Sequence, residues 1–395
     1  MADYGYVNAR IRGMRSHLLG PGFYEQLIAL EDLPSMIDNL EQTPYKNELE
    51  ECVARDQVGA ASVDEALKRN LARTFRKILS FMAGEPRMLT GILLARWDLH
   101  NLKSVLRGKH IAATEDEILK SLIPAGEIDI PLLGELAKQP DVKSVADLII
   151  TWNLPCAKPL KINLPKYLRS MKEKRMILAE TAEESPADET AGELGESEKD
   201  LAALEAALDK FYYSFALKKT RGRSLNSRIV QELVVSQIDI TNILSLLRIQ
   251  SVDFDREYLL IKDDEKRAKR IQDKKEEIFI PKGKELSHDL FLGLSEVGEI
   301  EEVVAKLGHT SYGKALSQVM PRFFDSGSLA ILQRKMEEIA VAKGVQMYSK
   351  GPLSMGVIAS YIWAKYNEVV NLRIIVRGKA IGMLERRIRE ELIFV

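Results

Sequence analysis

Apolar residues recur at steps of three and four along most of the chain, which is the spacing of one face of an α-helix. The pattern is clearest in five segments: Phe23–Leu40, Ala61–Met82, Gly91–Leu106, Ile229–Ile249 and Gly356–Met383. Alternating runs of β-branched residues, which would indicate strands, are few and short. Prolines between the helical stretches, among them Pro124, Pro165 and Pro281, predict helix boundaries. The sequence therefore predicts an all-α protein with short connections.

Two polar segments interrupt this pattern. Residues 180–200 (ETAEESPADETAGELGESEKD) are acidic and nearly free of large apolar side chains. Such a segment cannot offset its ordering entropy by burial, so we expect a disordered insertion there. Residues 262–275 (KDDEKRAKRIQDKK) are almost wholly charged, and they predict an exposed helix.

One helical pattern occurs three times. It reads DLHNLKSVLR at 98–107, DITNILSLLR at 239–248 and EVVNLRIIVR at 368–377. The shared order is acid, two residues, Asn, aliphatic, two residues, two aliphatics and Arg, and chance would give on the order of one match per few hundred chains of this length. We call each copy an Asn-Arg helix. Its candidate contact residues are Asp98, Asn101, Arg107, Asp239, Asn242, Arg248, Glu368, Asn371 and Arg377.

A second pair of matching segments lies upstream of two of these copies. LEQTPY at 40–45, followed by Leu49, matches LGHTSY at 307–312, followed by Leu316. Each copy precedes an Asn-Arg helix, so we expect three helical units, at 1–115, 116–255 and 256–395, with the acidic insertion in the second. The N-terminal helix of the first unit is expected to pack on another unit. Three such long units favour a closed, pseudo-threefold body with a central cavity over a stacked rod.

The asparagine of each Asn-Arg helix falls on an apolar face. Asn101 lies seven residues after Leu94, four after Trp97 and four before Val105. A buried amide must be hydrogen-bonded, so we expect it to bind the backbone of a neighbouring helix or an acid. Arg107 is expected near a surface or a seam between units. Two interpretations remain: a polar clamp that fixes helix packing, and a contact with a partner.

Composition narrows the classes of function. The chain has 395 residues, with 57 Lys and Arg against 58 Asp and Glu. Its net charge is therefore close to zero and creates no overall electrostatic field that would attract nucleic acid or acidic lipid. Two cysteines and five scattered histidines predict neither a disulfide framework nor a metal site. The first residues lack the apolar core of a signal peptide, and no apolar run approaches the ~20 residues of a membrane span. We therefore expect a peripheral protein on the cytoplasmic side of the membrane, without a cofactor.

Two motifs offer candidate chemistry. Gly308 to Lys314 (GHTSYGK) matches the spacing of a phosphate-binding loop, but Ala315 stands where that loop needs a hydroxyl, and the preceding residues predict a helix rather than a strand. A basic cluster surrounds Gly222. Its members are Lys218, Lys219, Arg221, Arg223 and Arg228. This cluster fits a solvated surface, an acidic partner or lipid head groups.

Three segments carry a resemblance to a known family. YGYVNARIR at 4–12 resembles the start of the C subunit of archaeal and bacterial A/V-type rotary ATPases, the counterpart of the d subunit of eukaryotic vacuolar ATPases. RWDLHNL at 96–102 is similar to the signature helix of that family, and AKYNEVVNLR at 364–373 to its last copy. The similarity extends over the whole chain, apart from the acidic insertion and the enlarged middle unit.

The resemblance implies an all-helical funnel of three similar domains and no active site. It implies a wide mouth for the central-stalk subunits D and F, a narrow base on the ring of proteolipid subunits (named K or c), and indirect coupling to the A/B catalytic head. The protein would turn with the rotor and transmit torque for ion-coupled ATP synthesis or hydrolysis. The competing hypotheses are a helical adaptor for soluble proteins and an enzyme that uses the Gly308 loop.

Overall fold

The computed structural model describes residues 4–53, 59–154, 156–182, 189–250 and 264–394, with no side-chain description for 53, 170, 172–182, 189–200 and 270. Within these ranges the chain is built from α-helices and two short 3₁₀-helices, without a strand. The prediction of an all-α protein is therefore confirmed.

The helices follow one another with short connections. In chain order they are α1 (Tyr4–Arg15), α2 (Pro21–Ala29), α3 (Leu33–Leu40), α4 (Lys46–Val53), α5 (Ala60–Ser80), α6 (Gly84–His110), α7 (Glu115–Ser121), α8 (Ile130–Ala137), α9 (Val142–Thr151), α10 (Ala157–Ala182), α11 (Glu189–Lys219), α12 (Leu225–Ile249), α13 (Asp264–Ile278), α14 (His288–Ser295), α15 (Ile300–Lys306), α16 (Ser311–Ser317), α17 (Met320–Ser326), α18 (Leu329–Gln346), α19 (Met355–Ala380) and α20 (Glu385–Glu391). The 3₁₀-helices are Leu307–His309 and Met347–Lys350.

Local sequence explains where many helices begin. Ser224 caps α12 by accepting a hydrogen bond from the Ser227 N–H, and Ser354 caps α19 in the same way with Gly356. Thr114 and Glu117 form a reciprocal capping box at α7. The prediction that Pro165 marks a helix boundary is wrong, because this proline lies inside α10. A long helix whose face packs on its neighbours can tolerate the single backbone donor that a proline removes.

The acidic insertion differs from its prediction. Residues 180–182 end α10 and residues 189–200 form the first part of α11, so the backbone of these residues is helical where disorder was expected. Residues 183–188 lie outside the described residues. The physical reason is composition: Ala, Glu, Leu and Lys are strong helix formers, and the packed half of α11 continues the same helix.

The long helices α6, α12 and α19 contain the three Asn-Arg patterns and organise the packing. Helix α6 packs on α11, α12 on α18, and α19 on α5. Helices α1, α2 and α3 also pack on α19, so N-terminal helices contact the C-terminal Asn-Arg helix. Two apolar clusters result: one contains Trp97 and Trp363, and the other surrounds Phe291 and Tyr312. Helix packing thus crosses the boundaries at 115 and 255 that the repeat spacing predicts.

Helix α12 is the one helix among the described residues that is long and apolar enough to cross a membrane. The mean hydropathy of its most apolar window is 1.2, and 67% of that window is buried inside the protein. Most of its apolar residues, including Ile238 and Leu246, belong to the protein core, and Leu225 at its start is exposed.

Candidate functional site: the Asn-Arg helices and the cavity between them

The N-terminal ends of the three Asn-Arg helices lie together. Ser224, at the start of α12, donates a hydrogen bond to Glu85 in the first turn of α6 at 3.2 Å. The side chain of Asn226 accepts a hydrogen bond from the backbone N–H of Met355, the first residue of α19, at 2.9 Å. Because each contact joins the first turn of one long helix to the first turn of another, all three helices start at one end of the protein.

The later turns of these helices also lie side by side. The Trp97 ring of α6 is 5.4 Å from the ring of Tyr366 on α19. Burial lowers the pKa of the Arg248 guanidinium on α12, and the nearby positive charge of Arg107 on α6 lowers it further. The three helices therefore run in the same direction, from a shared starting end to a second end that carries these arginines.

Each asparagine of the repeat exchanges two hydrogen bonds with the backbone of an isoleucine downstream in the sequence. The amide of Asn101 donates to the carbonyl of Ile123 and accepts from its N–H, both at 2.8 Å. Asn371 holds Ile393 in the same way, at 2.8 and 3.1 Å. The third pair is Asn242 and Ile280. All three asparagines are fully buried, so each amide satisfies a donor and an acceptor that would otherwise be unpaired.

The first two acids of the repeat hold the loop that follows the isoleucine. Asp98 accepts hydrogen bonds from the N–H groups of Glu127 and Ile128, both at 2.9 Å. Asp239 accepts from three consecutive N–H groups, starting at Lys284. Burial raises the pKa of Asp98 to about 6 although its backbone donors oppose the rise, and burial also raises the pKa of Asp239.

The third acid has different partners. Glu368 accepts hydrogen bonds from the Tyr45 hydroxyl at 2.7 Å and from the backbone N–H of Leu19 at 2.5 Å. Its other neighbour is Lys365, whose ammonium lies 2.8 Å away on the same helix and also donates to Tyr45. Glu368 therefore joins α19 to the N-terminal segment, and its charge is balanced in the interior by Lys365.

The arginines of the repeat lie at the second end of the helices. Arg107 forms a bidentate pair with Glu205 of α11, at 2.5 and 2.6 Å. Arg377 contacts Asp64 of α5 at 3.1 Å. Arg248 is near the same acidic side chains as Arg107, because Glu205 is among the groups that raise its pKa. In two copies, then, the arginine pairs with a neighbouring long helix.

A cavity of about 230 Å³ lies between the Asn-Arg helices. All three of them contribute lining residues, as do α11 and α18, and the polar side chains are Arg96, His100, Lys103, Asp209, Tyr212, Tyr213, Gln237, Thr241 and Tyr366. His100 is accessible to solvent, yet surrounding protein and the charges of Lys103 and Arg107 lower its pKa to about 4. The Nε2 of Gln237 has no hydrogen-bond acceptor among the described residues. Lys103 is paired with Asp209 at 2.7 Å, so the cavity offers the guanidinium of Arg96 and the available donor of Gln237.

The sequence analysis missed a short motif that the structure places against the Asn-Arg helices. Ile123 and Ile280 each begin an Ile-Pro-x-Gly sequence, which ends at Gly126 and Gly283. A side chain at either glycine would collide with the carboxylate of Asp98 or Asp239. The signal in the sequence was the motif itself, which occurs twice. It begins 22 residues after Asn101 and 38 residues after Asn242. Glycine at these two positions allows the loop to approach the acid.

The second sequence match also has a common geometry. Tyr45 and Tyr312 are both fully buried. A lysine ammonium lies 4.1 Å from each ring centroid, Lys365 over Tyr45 and Lys343 over Tyr312, and donates a hydrogen bond to the hydroxyl. These residues are structural equivalents, each joining a short-helix segment to a long helix.

The loop that resembles a phosphate-binding loop is part of this packing. Gly308 lies in a 3₁₀-helix, and Thr310 caps α16 by accepting the N–H of Gly313 at 2.9 Å. A side chain at Gly313 would collide with the backbone of Leu307. The backbone N–H groups here therefore serve a tight helix-to-helix turn. Across the described residues, no group of three His, Cys, Asp or Glu side chains is arranged to hold a metal ion.

Comparison with known proteins defines the class of this helical body. The sequence model of the ATP synthase (C/AC39) subunit family matches residues 7–391, so the chain belongs to that family. The resemblance seen in the sequence is thereby confirmed.

Relatives within the family are similar along their whole length. The chain is 27% identical to the C subunit of the A-type ATP synthase of Methanococcoides burtonii, over 99% of this chain and 94% of the relative. It is 27% identical to the corresponding C subunit of Methanosarcina mazei, over 100% and 94%. Identity to the C subunit of Archaeoglobus fulgidus is 23%, over 100% and 97%.

Proposed function

We propose that this chain is the central-stalk component that joins the rotating stalk of an A-type ATP synthase to its membrane ring and transmits torque between them. Membership of the family makes it a subunit of the ATP synthase, structural rather than catalytic. The observation that carries the more specific role is the parallel arrangement of α6, α12 and α19 around a polar cavity, because a protein that couples two rotating parts needs a rigid body with a socket.

The cavity and its rim are the proposed socket for the stalk, subunits D and F in the family. A joint between separately folded subunits is expected to use polar side chains and solvent-accessible contacts rather than a continuous apolar core. Arg96 supplies a cationic group in the cavity, Lys103 supplies a second that is paired with Asp209 at 2.7 Å, and Gln237 supplies a free donor. These groups favour a stalk end that carries carboxylates or backbone carbonyls.

Rigidity is the second requirement of the proposed role. A torque-bearing body must keep its three long helices in register. Asn101, Asn242 and Asn371 each fix a segment beyond their helix with two buried hydrogen bonds. We therefore favour the clamp interpretation of the nine repeat residues over direct contact with a partner. Each long helix with the helices packed on it is one of the three proposed pseudo-threefold units. The N-terminal helices complete the unit around α19.

The proposed base is the shared starting end of the three helices, opposite the arginines. Contacts between first turns close this end, whereas the cavity lies beside the later turns. A closed base and an open socket match a funnel that stands on the proteolipid ring, on the cytoplasmic side of the membrane, and receives the stalk from the other side.

The test is co-purification from detergent-solubilised native membranes that contain the ATP synthase, with the tagged chain as bait and mass spectrometry as readout. Recovery of stalk subunits together with the proteolipid is the expected result. Recovery of soluble partners alone would overturn the proposal and favour a helical adaptor.

A further inference from the structure

The starting end of the Asn-Arg helices concentrates positive charge. Three segments meet there: 4–15, 215–230 and 346–354. Together they contain nine lysines and arginines and no aspartate or glutamate, although the whole chain has 57 basic and 58 acidic residues. Hydrogen bonds join the first segment to the third, since Arg12 donates to the carbonyl of Pro352 at 2.6 Å and Asn8 to that of Ser354 at 3.2 Å. Asn226 of the second segment accepts the N–H of Met355, which follows the third, at 2.9 Å. We call this surface the basic end.

Exposed apolar side chains lie among these charges. Leu353 is 58% exposed and Leu225 is 44% exposed, and both lie where the long helices start. Tyr6, Phe215 and Tyr348 are exposed as well. Three of the five residues are aromatic, and each of those rings packs against a cation: Arg10 over Tyr6, Lys219 over Phe215 and Arg15 over Tyr348.

The two acids nearest to the basic end, Glu85 and Glu232, offset only part of its charge. Glu85 accepts hydrogen bonds from Tyr4 and Ser224, and Glu232 pairs with Lys350 at 3.3 Å. The exposed side chains of Lys218, Arg221 and Arg223 lie in or beside a loop without any acidic residue. The surface therefore keeps a strong local positive charge on a chain that is neutral overall.

We propose that the basic end binds the anionic head groups of a lipid bilayer. Each lysine or arginine near an anionic membrane strengthens binding roughly fivefold, and exposed aliphatic and aromatic side chains add binding by entering the interface. Aromatic side chains interleaved with lysines and arginines are typical of surfaces that lie at the boundary between water and a bilayer. The inference rests on the proposed function in one respect: it places the closed base towards the membrane.

The experiment measures binding of the purified full chain to vesicles of phosphatidylcholine alone and of phosphatidylcholine with phosphatidylglycerol. The wild-type chain is expected to bind the anionic vesicles and to be released by salt. The quadruple variant Lys218→Glu, Lys219→Glu, Arg221→Glu, Arg223→Glu should bind at least about a hundredfold more weakly. Leu353→Ser should bind several-fold more weakly without any change of charge.

A matched control separates location from net charge. The residues Lys120, Lys138, Arg386 and Arg387 are also exposed, and reversing all four gives the same change of net charge outside the basic end. That control should bind the anionic vesicles nearly as well as the wild type. Equal binding of the wild type to both vesicle types, or equal losses in the two quadruple variants, would overturn the proposal.

Co-purification distinguishes this inference from the proposed function. A quadruple variant that binds vesicles normally but no longer recovers the proteolipid would show that the basic end contacts an acidic protein, and would overturn the lipid assignment. A chain that binds anionic vesicles as expected but never recovers stalk or proteolipid would retain the lipid site and remove the coupling role.

Discussion

The side chain of Asn242 forms two hydrogen bonds with the backbone of a single residue, Ile280. Its Nδ2 donates to the Ile280 carbonyl at 2.8 Å, and its Oδ1 accepts the Ile280 N–H at 2.9 Å. Helix α12 thereby fixes the segment that follows α13, 38 residues along the chain. The same pairing at Asn101 and Asn371 makes it the recurring joint of this protein.

Replacing this amide should therefore lower stability. In Asn242→Leu the buried N–H and carbonyl of Ile280 lose their partners, and the free energy of unfolding should fall by about 1–3 kcal/mol. Urea denaturation measures the loss, and hydrogen exchange at Ile280 should accelerate. Asn47→Leu, at an exposed position of α4, is the control and should change stability by less than about 0.5 kcal/mol. Equal losses of stability in Asn242→Leu and Asn47→Leu would argue against a stabilising role of the hydrogen bonds between Asn242 and Ile280.

The glycine of the Ile-Pro-x-Gly motif should not accept a side chain. In Gly283→Ala the new methyl group would collide with the Asp239 carboxylate, so we expect a loss of about 1–3 kcal/mol in unfolding free energy. Gly134→Ala is the control, because no atom lies within 4 Å of the added carbon and the helix should be unchanged or slightly more stable. The added loss should shrink in an Asp239→Ala background, and a loss of the same size there would show that the carboxylate is not its cause.

Both side chains of the buried ion pair on α19 should be needed for stability. Lys365 and Glu368 are nearly inaccessible, so Lys365→Met leaves a buried carboxylate without its counter-ion and should cost about 3–5 kcal/mol of unfolding free energy. Lys335 and Glu338 have the same helical spacing, but Glu338 is open to solvent. Lys335→Met should therefore cost at most about 1 kcal/mol. Glu368→Gln in the Lys365→Met background should recover part of the loss.

Histidine titration reports on the cavity. The surrounding protein, with help from Lys103, holds the pKa of His100 at about 4, below the ordinary value near 6.5. Between pH 6.5 and 4 the unfolded chain binds a proton that the folded chain does not, so the contribution of His100 to stability falls as the pH is lowered through that range. Denaturation between about pH 7 and pH 4 should show a smaller loss of stability in His100→Gln than in the wild type.

A direct titration separates the effect of the Lys103 charge on the pKa of His100 from the effect of the surrounding protein. The NMR chemical shift of the His100 ring should titrate near pH 4, and Lys103→Met should raise that pKa by removing a neighbouring cation. A ring that titrates near pH 6.5 in the wild type would contradict this environment of His100.

Much of this arrangement could be predicted from local sequence. The helical period places Asn101 on the same face as Trp97, and in the structure both residues are buried. The period does not reveal which backbone meets a buried face, so Ile123 and Ile280 could not be identified as partners. The intervals of 22 and 38 residues differ by 16, of which the greater length of α13 (15 residues against 7 in α7) accounts for half, and this difference hides the equivalence.

The contacts of the N-terminal helices were harder to predict for another reason. Tyr45 reaches Glu368 across 323 positions of sequence. Repeat spacing divides a chain into consecutive segments, and contacts between its first and last parts leave no trace in that spacing. The acid at 368 matches Asp98 and Asp239 in pattern, yet only the folded chain shows that it binds Leu19 and Tyr45.

The most direct test of the coupling role is site-specific photo-crosslinking in the assembled ATP synthase, with benzoylphenylalanine at either of two positions. One position is His100 in the cavity, and the other is Leu353 at the basic end. The account predicts adducts with a stalk subunit from position 100, and adducts with the proteolipid or lipid, but not the stalk, from position 353. Stalk adducts from position 353, or none from position 100 in an assembled complex, would contradict it.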